Sequence, residues 1–384
     1  MRADTLNIIK ELKIIIGNKK IFIYGYGTMG GTAHFTLHRL GYVIEGIVDS
    51  DEKKWGKTVG DTSIISPYDL MYYDKNEVMV FVCSDRSKKE VVDTLESMKL
   101  IKNENFSTFF LDGRCAPFTD FNPQIGWCRG DNQLFGGDSN DYTRKTILTL
   151  GGSTTDYSLN GFVSWPSFLQ NMINNPPYDF SCLGDYRVIN GGAAGYCSSH
   201  EVFSLIVYGL NLAPNVLITY SGYNDSAGLL EYEYNDYRTI KTYGEIVNLA
   251  NRNASINKVS LFFGREVDDY VSLWLKNAKI IHGICEEFGI RHIHILQPSL
   301  IITDCLDDVE RDICCNGPYK KIFVDVNYFY KNIKDKIRGF DWIFDFTGIF
   351  KDSSVYLDSC HVNEDGNKII ASEVCKILIK YVLQ

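Results

Sequence analysis

The chain has 384 residues, of which 45% are hydrophobic and 23% charged, and its formal net charge is −9. This composition is typical of a globular protein long enough for two domains, and the acidic charge disfavours nucleic acid and anionic membranes as partners. No apolar run approaches the roughly 20 residues of a membrane span, and residues 1–20 lack a signal-peptide core, so we expect a cytoplasmic protein.

The N-terminal region alternates strand and helix patterns. An apolar strand, Lys20–Tyr24, leads into Gly25-Tyr26-Gly27-Thr28-Met29-Gly30, a Gly-x-Gly-x-x-Gly motif, and a helix pattern runs from about Thr28 to Leu40. A second strand, Val43–Val48, ends at Asp49. The pattern continues with a strand at Val78–Cys83, a helix from about Ser87 to Leu100 and a strand at Ser107–Leu111. We therefore predict a small α/β domain over residues 1–112.

The glycine motif predicts a phosphate site. Gly25, Gly27 and Gly30 would let backbone N–H groups and a helix N-terminus approach a phosphate. Asp49 lies nineteen positions after Gly30, close to the spacing expected for an acid that accepts from a ribose hydroxyl. The alternative is a tight strand–helix turn that binds no ligand.

The stretch Ile44–Asp51, together with Lys53-Lys54-Trp55-Gly56 and Ile64–Pro67, resembles the small N-terminal Rossmann-like domains of sugar-modifying enzymes, such as acyltransferases and methyltransferases of bacterial glycan pathways. The resemblance implies a nucleotide or nucleotide-sugar ligand. Hydride transfer is disfavoured, because nothing after this region looks like a redox catalytic domain.

Residues 113–144 are rich in turn-forming residues and show no clear period, so we predict a linker that packs on the domain that follows. That domain is predicted to occupy residues 145–384. It begins with Leu148-Thr149-Leu150-Gly151-Gly152-Ser153-Thr154-Thr155, an apolar run that stops at two glycines and presents a serine. A buried parallel strand ends in this way when a nucleophile is exposed at its carboxyl edge.

Three further segments place polar groups where a strand or loop hands over to a helix. Val188–Gly195 precedes a helix pattern from about Ser198 to Leu212, and Val216–Asp225 is a buried strand ending in Gly222 and Asn224. The third segment is Asp358-Ser359-Cys360-His361. In an open parallel sheet such points share one edge.

Taken together, Ser153, Gly195, Asn224 and Asp358-x-x-His361 resemble the motif blocks of the SGNH hydrolases, also called GDSL-type esterases, over about residues 145–384. The resemblance implies a three-layer α/β/α fold with a parallel sheet. It implies Ser153 as nucleophile, His361 as base and Asp358 as the acid that orients it. It also implies an oxyanion hole formed by the backbone of Ser153 and Gly195 and the side chain of Asn224. One departure is that the usual Gly-Asp-Ser is Gly-Gly-Ser here.

These residue types suit acyl transfer. A serine hydroxyl needs a neighbouring base, and histidine oriented by a carboxylate supplies one. Each residue also has a structural interpretation: Asn224 and Asp358 are good capping residues, Gly195 fits a turn, and His361 fits a surface position. Because a single architecture would bring all of these residues together, the catalytic interpretation of the set is favoured.

Neither a metal nor a catalytic cofactor is predicted. The 11 cysteines include no Cys-x-x-Cys pair and are expected to be reduced, with Cys197 and Cys360 as packing residues. His292 and His294 alternate along a predicted strand, Arg291–Leu296, and are interpreted as structural. An insertion at residues 227–266 is predicted to shape the substrate pocket.

Two hypotheses of different class remain. One is a serine esterase or deacylase acting on an acylated carbohydrate or glycan precursor, with acyl transfer to a sugar as a close relative, since both use one acyl-serine intermediate. The other is a nucleotide-sugar binding protein whose hydrolase domain is vestigial. The sequence does not indicate an oligomeric state.

Overall fold

The computed structural model describes residues 12–84, 88–109, 120–122, 126–128, 143–156, 164–174, 183, 186–193, 195–226, 267–317 and 320–382. The chain forms two units. The first is built chiefly from Met1–Ala116 and Thr303–Val324, and the second from Pro117–Ile302 and most of residues 325–384. Thr303–Val324 therefore groups with the first unit, although the sequence placed it in the second domain. The predicted insertion at 227–266 lies outside the described residues.

The strands follow the predicted order with some additions, and the strand predicted at Ser107–Leu111 is observed at Phe106–Ser107. In chain order they are β1 Lys20–Tyr24, β2 Ile44–Val48, β3 Thr58–Val59, β4 Thr62–Ile65, β5 Val78–Val82, β6 Phe106–Ser107, β7 Asp120–Asn122, β8 Gly126–Cys128, β9 Lys145–Gly151, β10 Tyr186–Asn190, β11 Val216–Ser221, β12 Arg291–Leu296 and β13 Ile343–Asp345. The additions, which were not predicted, are the β3–β4 hairpin, the antiparallel β7–β8 pair and β13; the β7–β8 pair lies in the predicted linker.

The helices are, within the described ranges, α1 Thr28–Arg39, α2 Lys88–Ser97, α3 Trp165–Asn174, α4 Ser198–Val207, α5 Tyr223–Ser226, α6 Val267–Glu287, α7 Asp308–Asn316, α8 Lys320–Ile337 and α9 Glu364–Val382. Short 3-10 turns are found at Glu52–Lys54, Pro67–Tyr72, Lys75–Glu77, Gly209–Leu212, Leu300–Ile302 and Ser353–Val355. None of the described helices is long and apolar enough to cross a membrane.

The first unit contains a six-stranded sheet of order β3-β4-β2-β1-β5-β6, parallel except for the β3–β4 hairpin. Its central strands β1 and β5 are apolar and almost entirely buried, as expected for parallel strands covered on both faces. Helix α7 packs on α1 in this unit, and Arg39 forms a buried ion pair with Glu310 at 2.6 Å.

The second unit contains a five-stranded, fully parallel sheet of order β10-β9-β11-β12-β13. Successive residues of β11 face opposite sides of the sheet. Leu217 packs in a core with residues of α4 and α6, whereas the Tyr220 ring meets Trp165 of α3 at 5.6 Å. Helices therefore cover both faces, which gives the α/β/α architecture that the sequence predicted. The carboxyl ends of all five strands share one edge.

Candidate active site

The nucleophile candidate stands on a tight turn at the end of β9. The N–H groups of Thr155 and Asp156 both donate to the Gly152 carbonyl, at 2.9 and 3.0 Å, which turns the chain immediately after the strand. A side chain at Gly151 would lie 2.6 Å from the Tyr220 carbonyl, so only glycine fits there. The turn leaves Ser153 partly exposed at the carboxyl edge of the sheet.

Buried Thr155 anchors this turn. Its carbonyl accepts from the Ser164 hydroxyl at 2.8 Å and the Asn190 amide at 2.6 Å, while its own hydroxyl accepts from the Trp165 indole at 3.2 Å. These bonds tie the turn to α3 and to the end of β10. The nucleophile is therefore held by rigid elements on two sides.

The base candidate reaches Ser153 from the far end of the chain. His361 Nε2 lies 2.7 Å from Ser153 Oγ, although the two residues are 208 positions apart. The loop that carries His361 is held by an antiparallel bridge between Tyr356 and Val362 and by the Asn363 N–H, which donates to the Val355 carbonyl at 2.8 Å. The hydrogen bond between Ser153 Oγ and His361 Nε2 is the arrangement that general-base activation of a serine requires.

The acid candidate lies on the same loop. Asp358 is buried, and one of its carboxylate oxygens, the Cys360 sulfur and a ring nitrogen of His361 lie within 4.8 Å of one another. Cys360 Sγ is 3.6 Å from His361 Nδ1. Since Nε2 faces Ser153, Nδ1 is the nitrogen left for orientation by Asp358. Cys360 itself is buried, in keeping with a packing residue.

Two of the oxyanion candidates, Gly195 and Asn224, belong to segments that meet at Gly152, the residue before Ser153. The Asn224 side-chain amide donates to the Tyr196 carbonyl at 2.8 Å, and Gly195, the residue before, has φ +76°, which favours glycine. A side chain at Gly152 would lie 2.6 Å from Asn224 Nδ2 and 3.0 Å from the Tyr196 carbonyl. A side chain at position 152 would therefore require the Asn224 amide to shift.

Sequence reasoning missed a buried acidic pair behind these donors. Asp225 and Glu201 are both buried; Asp225 accepts from the Ser198 backbone and hydroxyl, and Glu201 accepts from the Ser221 hydroxyl at 3.1 Å. Burial raises the pKa of each carboxyl, and their mutual repulsion adds to the effect on Glu201. The Asn224-Asp225 dipeptide was a signal, but Ser198 and Glu201 had none.

The structure gives the N-terminal glycine loop a mainly internal role. Asp49 Oδ2 accepts from the Tyr26 N–H at 2.9 Å and from Lys54 Nζ at 2.8 Å, and Oδ1 accepts from the Asp51 N–H. Hydrogen bonds and the Lys54 ammonium hold the pKa of the Asp49 carboxyl below its usual range despite burial, which by itself raises it. Asp49 thus closes the turn; a ribose partner for it stays a prediction.

Two of the three motif glycines are required by that turn. Gly25 has φ +94°, and a side chain at Gly30 would lie 2.2 Å from the Gly25 carbonyl oxygen. A side chain at Gly27 would meet nothing within 4 Å. Gly27 stands at the N-cap position of α1, where it provides no side-chain hydrogen bond. The uncapped α1 N-terminus is the part of the motif left for an anion.

Among the described residues, two side-chain groups carry donor types that bind metals: Asp358, Cys360 and His361, and the trio His38, Asp307 and Glu310. The first is the candidate active site. In the second, Glu310 is paired with Arg39, and Asp307 lies 2.8 Å from His38. We assign a metal to neither.

Solved structures similar to this one include a gut microbial diltiazem-metabolizing enzyme, with 16% identity, 61% of this chain and 46% of that chain covered, and TM-score 0.39. A GDSL-like lipase from Bacteroides thetaiotaomicron shares 13% identity over 62% of this chain and 88% of its own, with TM-score 0.32. A catalytic mutant of an acetylxylan esterase from Geobacillus stearothermophilus shares 12% identity over 60% of this chain and 93% of its own, with TM-score 0.34. No family model and no curated protein matches the sequence. Similarity at this level supports no functional argument, which therefore depends on the site geometry.

Proposed function

We propose that the chain is a serine hydrolase that cleaves ester bonds through an acyl-serine intermediate. The observation that carries the proposal is the 2.7 Å contact between Ser153 Oγ and His361 Nε2, with the buried Asp358 three residues away on the His361 loop. At the partly exposed end of the sheet, this hydrogen bond gives the Ser153 hydroxyl the neighbouring base that nucleophilic attack needs.

The reaction follows from these positions. His361 Nε2 takes the Ser153 proton as Oγ attacks the ester carbonyl carbon, and the imidazolium then gives that proton to the leaving alcohol. The Asn224 amide has two hydrogens; the bond to Tyr196 uses one and leaves the other for the developing oxyanion. The backbone N–H groups of Ser153 and Gly195 complete the proposed oxyanion hole. Water then attacks the acyl-serine and releases the acid.

The substrate we propose is an acylated carbohydrate or glycan precursor. Two features support it: the resemblance of the N-terminal domain to those of sugar-modifying enzymes, and the 24 tyrosines, a residue type that stacks on sugar rings. A sugar hydroxyl that replaces water in the second step would make the enzyme an acyltransferase. Product analysis with and without an added sugar acceptor separates the two outcomes.

The nucleotide-sugar site proposed for the N-terminal domain is supported by the uncapped α1 N-terminus at Gly27, whose first turn has no acidic residue. A thermal-shift screen of UDP-, GDP- and CDP-sugars, NAD and NADP tests it. Stabilisation by a nucleotide-sugar, lost in Gly27→Ala, is the expected result. No shift with any compound would favour a purely structural turn.

The decisive experiment for hydrolysis is p-nitrophenyl acetate turnover by the wild type and by Ser153→Ala. We expect turnover by the wild type and none above background for the variant. Ser272→Ala, which removes an exposed hydroxyl on α6, is the matched control and should retain full activity. Near-normal turnover by Ser153→Ala would refute the proposal.

A further inference from the structure

Two neighbouring residues of α5 bind two nearby residues of the segment that carries Gly195. Asn224 donates from its amide to the Tyr196 carbonyl at 2.8 Å. Asp225 accepts from the Ser198 N–H at 3.0 Å and from the Ser198 hydroxyl at 2.5 Å. Because α5 has only four residues, it cannot hold its own position and depends on such contacts.

The link between Asp225 and Ser198 is buried and is supported from a third element. Ser198 Oγ, which donates to Asp225, accepts from the Asn277 amide of α6 at 2.9 Å, and Asn277 also reaches the Ser199 hydroxyl at 3.0 Å. Asp225 is 6% exposed and Ser198 is 0% exposed. Removing a carboxylate from water is costly, so its retention here needs compensation by these hydrogen bonds.

The link to Ser198 acts together with the packing of α5 on α6 and with the Gly222 N–H, which donates to the Asp225 carboxylate. The Ser226 hydroxyl bonds back to Tyr223 within the helix at 2.8 Å, so it ties α5 to nothing else. Gly222, just before the helix, has φ +126° and allows the chain to change direction there. Of these contacts, the Asn224 bond to Tyr196 and the Asp225 bonds to Ser198 are the ones that join α5 to the segment that carries Gly195.

From this geometry we infer that Asp225, through Ser198, is a positioning residue that holds Asn224 and the Gly195–Tyr196 segment in register with Ser153. The inference depends on the proposed function, since it explains how that oxyanion hole is held. Displacement of a catalytic donor by about 1 Å is sufficient to cost around 10²-fold in rate. Asp225 does not touch the substrate in this account; it acts through Asn224 and the Gly195 backbone.

The test is a double-mutant cycle on kcat with p-nitrophenyl acetate, using Asp225→Asn, Asn224→Ala and the double variant. We expect Asp225→Asn to lower kcat about 10–10²-fold with little change in KM, because transition-state contacts are affected. In the Asn224→Ala background the same change should lower kcat by no more than about threefold, since the amide that Asp225 positions is absent.

Two further variants separate positioning from general damage. Ser198→Ala breaks the link from the other side, so its loss should match that of Asp225→Asn and should not add to it; it also serves if Asp225→Asn does not fold. Ser226→Ala removes a buried hydroxyl two residues from Asn224 and should keep near-wild-type kcat.

The outcomes are distinct. A folded Asp225→Asn with wild-type kcat overturns the inference, as does an equal loss in the presence and absence of the Asn224 amide. If Asn224→Ala itself leaves kcat unchanged, the oxyanion role assigned to Asn224 in the proposed function has failed, and the positioning role fails with it.

Discussion

Two glycine turns, one in each unit, begin alike and differ in how they are completed. Each follows the carboxyl end of a buried parallel strand, β1 before Gly25 and β9 before Gly152. The first is closed by Asp49, whose carboxylate accepts the Tyr26 N–H and the ammonium of nearby Lys54. The second presents a serine to a histidine 208 residues away.

The two turns resemble each other in local sequence but differ in the partners of their polar groups. A turn whose polar groups are satisfied by near neighbours in the chain is explained by folding alone. The Ser153 turn differs because its hydroxyl is hydrogen-bonded to a histidine on a separately held loop, which is the arrangement that acyl transfer uses. This difference supports the function proposed for the Ser153 turn more strongly than the one proposed for the Gly25–Gly30 turn.

The largest expected effect lies at the Ser153 turn. Ser153→Ala and His361→Ala should each lower kcat by about 10⁴-fold or more, because either removes nucleophilic attack. The double variant should lose little beyond the worse single variant, since the two residues act as one unit. Steady-state kinetics on protein with a wild-type circular dichroism spectrum measures this. Additive losses would mean that the pair does not act together.

The next effect tests the donor packed against Gly152. Asn224→Ala should lower kcat about 10²–10³-fold with little change in KM, because the amide is used chiefly in the transition state. Measurement of kcat and KM separately is essential. A change confined to KM would instead identify Asn224 as a ground-state binding residue.

A matched pair of substitutions tests the first turn. Gly30→Ala should destabilise the protein by about 1–3 kcal/mol, because the new methyl group would meet the Gly25 carbonyl oxygen. Gly27→Ala has open space and an extended backbone, so its cost should be well below that of Gly30→Ala. Urea denaturation compares the two. Equal costs would contradict the structural account of this turn.

The last prediction concerns pH. Burial lowers the pKa of His294 from 6.5 to about 3. Its contribution to stability is therefore present above pH 6.5 and is lost as the pH falls towards 3, because the unfolded chain binds the extra proton. His294→Phe should reduce the pH dependence of the unfolding free energy in this window by about 1.4 kcal/mol per pH unit. An unchanged slope would show that His294 does not titrate on unfolding.

Much of the fold was predictable because buried parallel strands are continuous apolar runs. Lys20–Tyr24, Val78–Val82 and Arg291–Leu296 were predicted within a residue of their observed ends. The helix pattern from Thr28 ended one residue early, at Arg39, and the pattern from Ser198 divided into α4 and a 3-10 turn at Gly209–Leu212. His292 and His294 are buried, as a structural role predicts.

The remainder depended on contacts that local sequence does not specify. The grouping of Thr303–Val324 with the first unit involves the buried pair of Arg39 and Glu310, 271 residues apart. The support of Asp225 by Ser198 and the closure of the Gly25 turn by Lys54 likewise need three-dimensional proximity. Strand ends and polar motif residues were visible in the sequence, whereas the residues that hold them were not.

The central claim, that Ser153 is a nucleophile activated by His361, is tested most directly by covalent labelling. The wild type and Ser153→Ala would be treated with a fluorophosphonate and analysed by intact-mass and peptide mass spectrometry. The account predicts one adduct on Ser153, formed far more slowly in His361→Ala and absent from Ser153→Ala. Failure of the folded wild type to react, or equal labelling of Ser153→Ala, would contradict it.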